Sequence, residues 1–134
     1  MKDNIQVVKS WINKAYEDLE MGHRAMKGDK LYPASACFHA QQSAEKILKG
    51  CLINFGYEIT KDLKTHELEI LIATLEKQIE LSHDLHLWVE DLDDYGVKPR
   101  YPTDTGDPTF QEAIDALRYA ENIIDYCLLQ ILKF

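Results

Sequence analysis

An all-α, up-and-down bundle of about five helices is the fold this sequence predicts, and three observations carry the prediction. Apolar residues recur at steps of three and four along nearly the whole chain. No segment alternates with period two, and no Asn-Gly or Asp-Gly pair offers a hairpin turn. No internal repeat or low-complexity tract breaks the pattern, so residues 1–134 read as one domain of ordinary size.

The first helix is carried by Val8, Ile12, Ala15, Leu19, Gly22 and Met26, with Gly28 as its expected stop. A second begins around Pro33, where a missing N–H costs nothing, and ends before Gly56. Its stripe is Cys37, Ala40, Ala44, Ile47, Cys51 and Phe55, but Phe38 and Ile53 fall outside it. A helix apolar on more than one side is central, or is shared between the core and a partner chain. The third helix takes Thr65 as its candidate cap and carries Leu68, Leu71, Ile72, Leu75 and Ile79. The fourth carries Leu81, Leu85, Trp88, Leu92 and Tyr95, and its acidic residues Glu90, Asp91, Asp93 and Asp94 read as a solvated face. From Gly96 to Pro108 the chain holds two Gly and three Pro without apolar periodicity, which makes a long loop. The last helix opens on Thr109 and Glu112, a capping-box pair, and runs to the C-terminus.

Composition excludes several function classes. With 46% hydrophobic and 28% charged residues the chain is neither disordered nor fibrous. No apolar run reaches the roughly 18 residues of a membrane span, and the N-terminus has no secretory h-region, so a cytoplasmic location is expected. Cys37, Cys51 and Cys127 each fall among apolar residues and form no Cys-x-x-Cys pair, which suits reduced core thiols. Through Tyr57 there are 8 basic against 6 acidic side chains; from Glu58 onward there are 7 against 17. A net charge of −8 argues against extended nucleic-acid binding, although it leaves room for a confined basic pocket.

The common catalytic signatures are missing. There is no phosphate loop, no Gly-x-Gly-x-x-Gly, no Gly-x-Ser-x-Gly and no His-Glu-x-x-His. His83 and His86 share a face without a third ligand at a known spacing, and they read as a surface feature at a helix start; no metal site is expected. His23 and His39 suit ordinary polar contacts. Two polar groupings remain. Gln42, Glu45, Lys46 and Lys49 share an arc of the second helix, either as a solvated face with an i,i+4 ion pair or as an anion site. Lys98-Pro-Arg100-Tyr-Pro102 sets an Arg between two prolines, which suits bidentate contact with phosphate or an anchor to a helix C-terminus.

These residues also carry a family likeness. Trp11, Ala15, Asp18 and Leu19, then Phe38, Gln41, Gln42, Glu45, Lys46 and Lys49, then Thr65-His66, and last Tyr95 with Arg100-Tyr101-Pro102 follow the order and spacing of HEPN domains. The chain resembles that family along most of its length. The resemblance implies a HEPN-like helical bundle, homodimerisation through helices, and association with nucleotides. It also implies pairing with a small nucleotidyltransferase, as a toxin–antitoxin-like or regulatory pair. Many members are ribonucleases that use Arg followed after four to six residues by His, and no Arg here is so followed. The expectation is therefore a non-catalytic member with no required cofactor and with ATP or GTP as candidate ligand. Arg100, Lys46, Lys49, Gln42, His66 and Tyr95 are its candidate binding residues. The alternatives are a ribonuclease with a rearranged site and a protein–protein scaffold.

Overall fold

The computed structural model describes residues 4–60, 63–96 and 107–134. Five α-helices follow one another: α1 (Asn4–Ala25), α2 (Pro33–Asn54), α3 (Leu68–Leu75), α4 (His83–Gly96) and α5 (Phe110–Tyr126). No strand occurs among the described residues, so the predicted all-α bundle is the observed fold. α2 is its centre and packs against every other helix. Thirteen of its 22 residues are buried, as its wide apolar surface predicts. Ile47, Leu48 and Leu52 are fully covered, and each such side chain contributes about 1.5–3 kcal/mol through the apolar surface it removes from water.

The α1–α2 contact is the most extensive in the bundle, and two glycines set its spacing. A Cβ on Gly22 would lie 2.7 Å from Leu117 Cδ2 and 3.3 Å from the Ala36 carbonyl oxygen. At the other end of the antiparallel pair, a Cβ on Gly50 would lie 3.2 Å from that of Trp11. Ala15, Ala36 and Ala40 are fully buried with them, so the two helices approach on small side chains. No described helix is long and apolar enough to cross a membrane.

The helix ends show where local chemistry decides and where it does not. Pro33 stands in the first turn of α2, and Gly56, at φ +90°, follows its end as expected. Thr109 and Glu112 form both halves of the capping box on α5. α1, however, stops at Ala25, three residues before Gly28. Its last turn tightens, with the Met26 and Lys27 amides bonding to the His23 and Arg24 carbonyls, and the Tyr32 amide then takes the Ala25 carbonyl.

α3 is also shorter than its apolar pattern, since the Lys77 and Gln78 amides turn back in i→i+3 bonds and leave Ile79 beyond the helix. Thr65 does not cap it: the Thr65 hydroxyl accepts from the Glu67 amide, ahead of the helix. Its cap comes from α4, where the two oxygens of Asp93 accept from the Leu68 and Glu69 amides at 2.8 and 3.2 Å. Asp93 is thus half-buried and engaged, whereas its neighbours Glu90 and Asp91 are exposed as a solvated face should be. A carboxylate at that position also offsets the positive end of the α3 dipole. The C-terminal residues Cys127–Leu132 continue α5 as a π-helical turn. Cys127, Ile131 and Leu132 of that turn are all buried in the core.

Candidate functional site

Within the apolar surface of α2, one side carries polar residues in close succession: Gln41, Gln42, Glu45, Lys46 and Lys49. Steps of three and four bring them onto a single face, which looks toward α1 and toward the loop ahead of α3. Burial there demands partners, and every buried side-chain nitrogen or oxygen among the described residues has one.

The network has two carboxylate centres. Glu45, almost wholly buried, receives Lys49 Nζ on Oε2 at 2.9 Å and His66 Nδ1 on Oε1 at 2.8 Å. Gln42 Nε2 donates to the same Oε1 at 3.3 Å and to Gln41 Oε1 at 2.9 Å. Gln41, fully buried, donates in turn to the backbone carbonyl of His66. Asp18, on α1, is the second centre: Oδ1 receives His39 Nδ1 at 2.9 Å, and Oδ2 receives Lys46 Nζ at 2.5 Å. Both histidines bind through Nδ1, and since an ionised carboxylate can only accept, that nitrogen carries the hydrogen in each.

The site residues expected from sequence are thus partly united. Gln42, Lys49 and His66 meet at Glu45, while Lys46 stands beside them on Asp18. Both ammonium groups are paired with a carboxylate. The Tyr95 hydroxyl donates to Glu112 Oε2, which ties the end of α4 to the start of α5. Arg100 lies outside the described residues, as do Lys98, Tyr101 and Pro102.

Asp18 is the participant whose role the pattern of charges hides. It sits three residues after Ala15 and four before Gly22, on the buried line of α1, and a carboxylate at such a register position is the signal that finds it. Of the remaining histidines, His23 pairs with Glu121 and His86 with Glu76.

The three cysteines are buried and free. The Cys127 thiol is held well above its ordinary range, first by its hydrogen bond to Cys51 and then by burial, so it stays protonated and unreactive. No group of three or more His, Cys, Asp or Glu side chains is placed to hold a metal ion among the described residues. A cleft of about 360 Å³ between the end of α1 and the start of α5 is walled by Met26, Phe110, Ile114 and Leu117. None of the candidate site residues lines it.

Comparison with known proteins gives the arrangement a context. The HEPN domain family model matches residues 8–131. The crystal structure of TT1696 from Thermus thermophilus is similar at 31% identity, with a TM-score of 0.76, over 90% of this chain and 94% of that one. ST0689, described as an archaeal HEPN homologue, is similar at 29% identity, with a TM-score of 0.72, over 98% of this chain and 99% of that one. No curated protein matches the chain significantly.

Proposed function

Because the chain belongs to the HEPN domain family, we propose that it is a non-catalytic, nucleotide-associated member that works as a homodimer beside a small nucleotidyltransferase. The observation that carries this reading is the hydrogen-bonded polar row on α2. A buried ion pair rarely stabilises a fold more than apolar side chains of the same volume would. Glu45 and Lys49 occupy such positions in the most buried helix of the bundle, beside a histidine that reaches solvent. A row built at that energetic disadvantage suits ligand recognition better than packing.

The non-catalytic part rests on chemistry. Metal-free RNA cleavage needs an acid or base together with a cation at the developing phosphorane charge, and the family's Arg-x(4–6)-His pair has no counterpart here. Incubation with single-stranded RNA should leave it intact, and cleavage lost on Arg100→Ala or His66→Ala would overturn this part. Dimerisation through α2 is supported by Phe38, which leaves 48% of its surface exposed on a helix with thirteen of its 22 residues buried. Light scattering at micromolar concentration tests it, and a clean 15.5 kDa monomer would sink it. Three free thiols suit a cytoplasmic, reducing compartment.

Nucleotide association is tested by calorimetric titration with ATP and GTP, alone and with a co-expressed nucleotidyltransferase. Binding weakened by Arg100→Ala with Lys46→Ala is the expected result. Absence of binding at millimolar nucleotide would leave a scaffold role.

A further inference from the structure

Cover is unevenly distributed within the Glu45 network. The side chains of Glu45 and Lys49 keep 4% and 8% of their surface exposed, whereas the His66 ring they hold keeps 71%. His66 is nonetheless fixed at two points, its carbonyl by Gln41 and its Nδ1 by Glu45. Its other ring nitrogen, Nε2, has no partner among the described residues.

Charge decides what that nitrogen can do. Lys49 is offset by Glu45 and Lys46 by Asp18, so neither ammonium has an uncompensated charge to offer a ligand. Imidazole is the side chain whose charge changes near neutral pH. His39 is largely covered and closed onto Asp18, which leaves His66 as the member of the network that can gain a positive charge at the surface. Glu45 accepts from Nδ1–H on one side of the ring, and on the other Nε2–H would donate to an anion. Among the described charged groups, Lys49 shares Glu45 with the ring, the exposed Lys64 and Glu67 lie within two residues of His66 in the chain, and Asp93 is already bonded to the α3 amides.

We propose that His66 is the anion-contacting residue of this protein, taking a phosphoryl oxygen of the ligand at Nε2 and a proton from solvent as the ligand binds. Glu45 is the positioning residue that aims the ring and shares the charge. This rests on the nucleotide-associated reading above and reassigns the anion contact from the lysines to the histidine.

Titration calorimetry slightly above neutral pH, with inorganic phosphate and with ATP, each in two buffers of different ionisation enthalpy, reads proton uptake directly. Wild type should take up a substantial fraction of a proton per ligand. His66→Gln should abolish the uptake and weaken binding about tenfold, the scale of one charge-assisted hydrogen bond. Uptake with both ligands assigns the site to phosphoryl anions in general, and uptake with ATP alone assigns it to nucleotide phosphates. Nitrogen-15 spectra of the wild type give a second readout: ligand should move the His66 Nε2 resonance and leave His39 in place. Glu45→Gln, where it folds, should lower the uptake while His66 remains. Binding without uptake, or uptake unchanged in His66→Gln, would overturn the assignment and leave nucleotide association standing. No binding of either ligand would overturn both.

Discussion

Asp18 and Glu45 each hold one lysine and one histidine, and they differ in what becomes of the histidine. At Asp18 the carboxylate, ammonium and ring retain 14%, 24% and 23% of their side-chain surface, and every bond crosses between α1 and α2. That group closes on itself and ties two helices together. At Glu45 the carboxylate and ammonium are more deeply buried, yet the ring stands 71% exposed on a loop. The same three residue types thus act as a clasp in one place and as a mount in the other. Hydrogen-bond inventories alone do not separate the two; the exposure of the last member does.

Three substitutions break or sharpen that contrast. The largest effect is expected from Glu45→Ala, which strands Lys49 inside the bundle without its carboxylate. Removing one partner of a buried pair costs about 3–5 kcal/mol, read as a lower denaturant midpoint at unchanged slope. A loss below about 1 kcal/mol would mean that the ammonium escapes to water and that the pair is exposed in solution. Asp18→Ala is expected to cost less, about 1–3 kcal/mol, because Lys46 and His39 are only part-covered and can re-solvate. Chemical denaturation again measures it, and a cost matching that of Glu45→Ala would erase the distinction in depth. The smallest effect belongs to His66→Gln, within about 0.5 kcal/mol as for most exposed positions. A loss of several kcal/mol there would make His66 a structural residue and collapse the contrast from the other side.

Much of this architecture is legible in the sequence, since much of it is local. Pro33 marks a helix start by its missing N–H, and the Thr109–Glu112 pair marks another through bonds made within one turn. The i,i+4 pairing of Glu45 with Lys49 follows from helical geometry alone. Bonds across the chain are another matter. Lys46 finds Asp18 28 residues away, and Asp93 reaches back 25 residues to cap α3, so neither partner shows itself in a local window. Asp18 is further disguised by its neighbour Leu19, which keeps the apolar step of α1 intact. Seven of the side chains that carry the family likeness, Asp18, Gln41, Gln42, Glu45, Lys46, Lys49 and His66, are drawn by the fold into these two hydrogen-bonded groups. The sequence pattern names the members without saying which carboxylate each would meet.

The cap on α3 bears on the order in which the molecule assembles. Eight residues make a helix too short to persist by itself in water, where about 12–15 are needed even for favourable sequences. The carboxylate that holds its first two amides belongs to α4, a helix begun only after α3 has ended. α3 is therefore a late element, waiting for α4 to dock before its first turn can close. His66 stands two residues ahead of that turn, between its own anchors on α2 and the cap that α4 supplies. In the native state the same dependence predicts that the α3 amides exchange with solvent faster than those of α2, which hydrogen exchange would read.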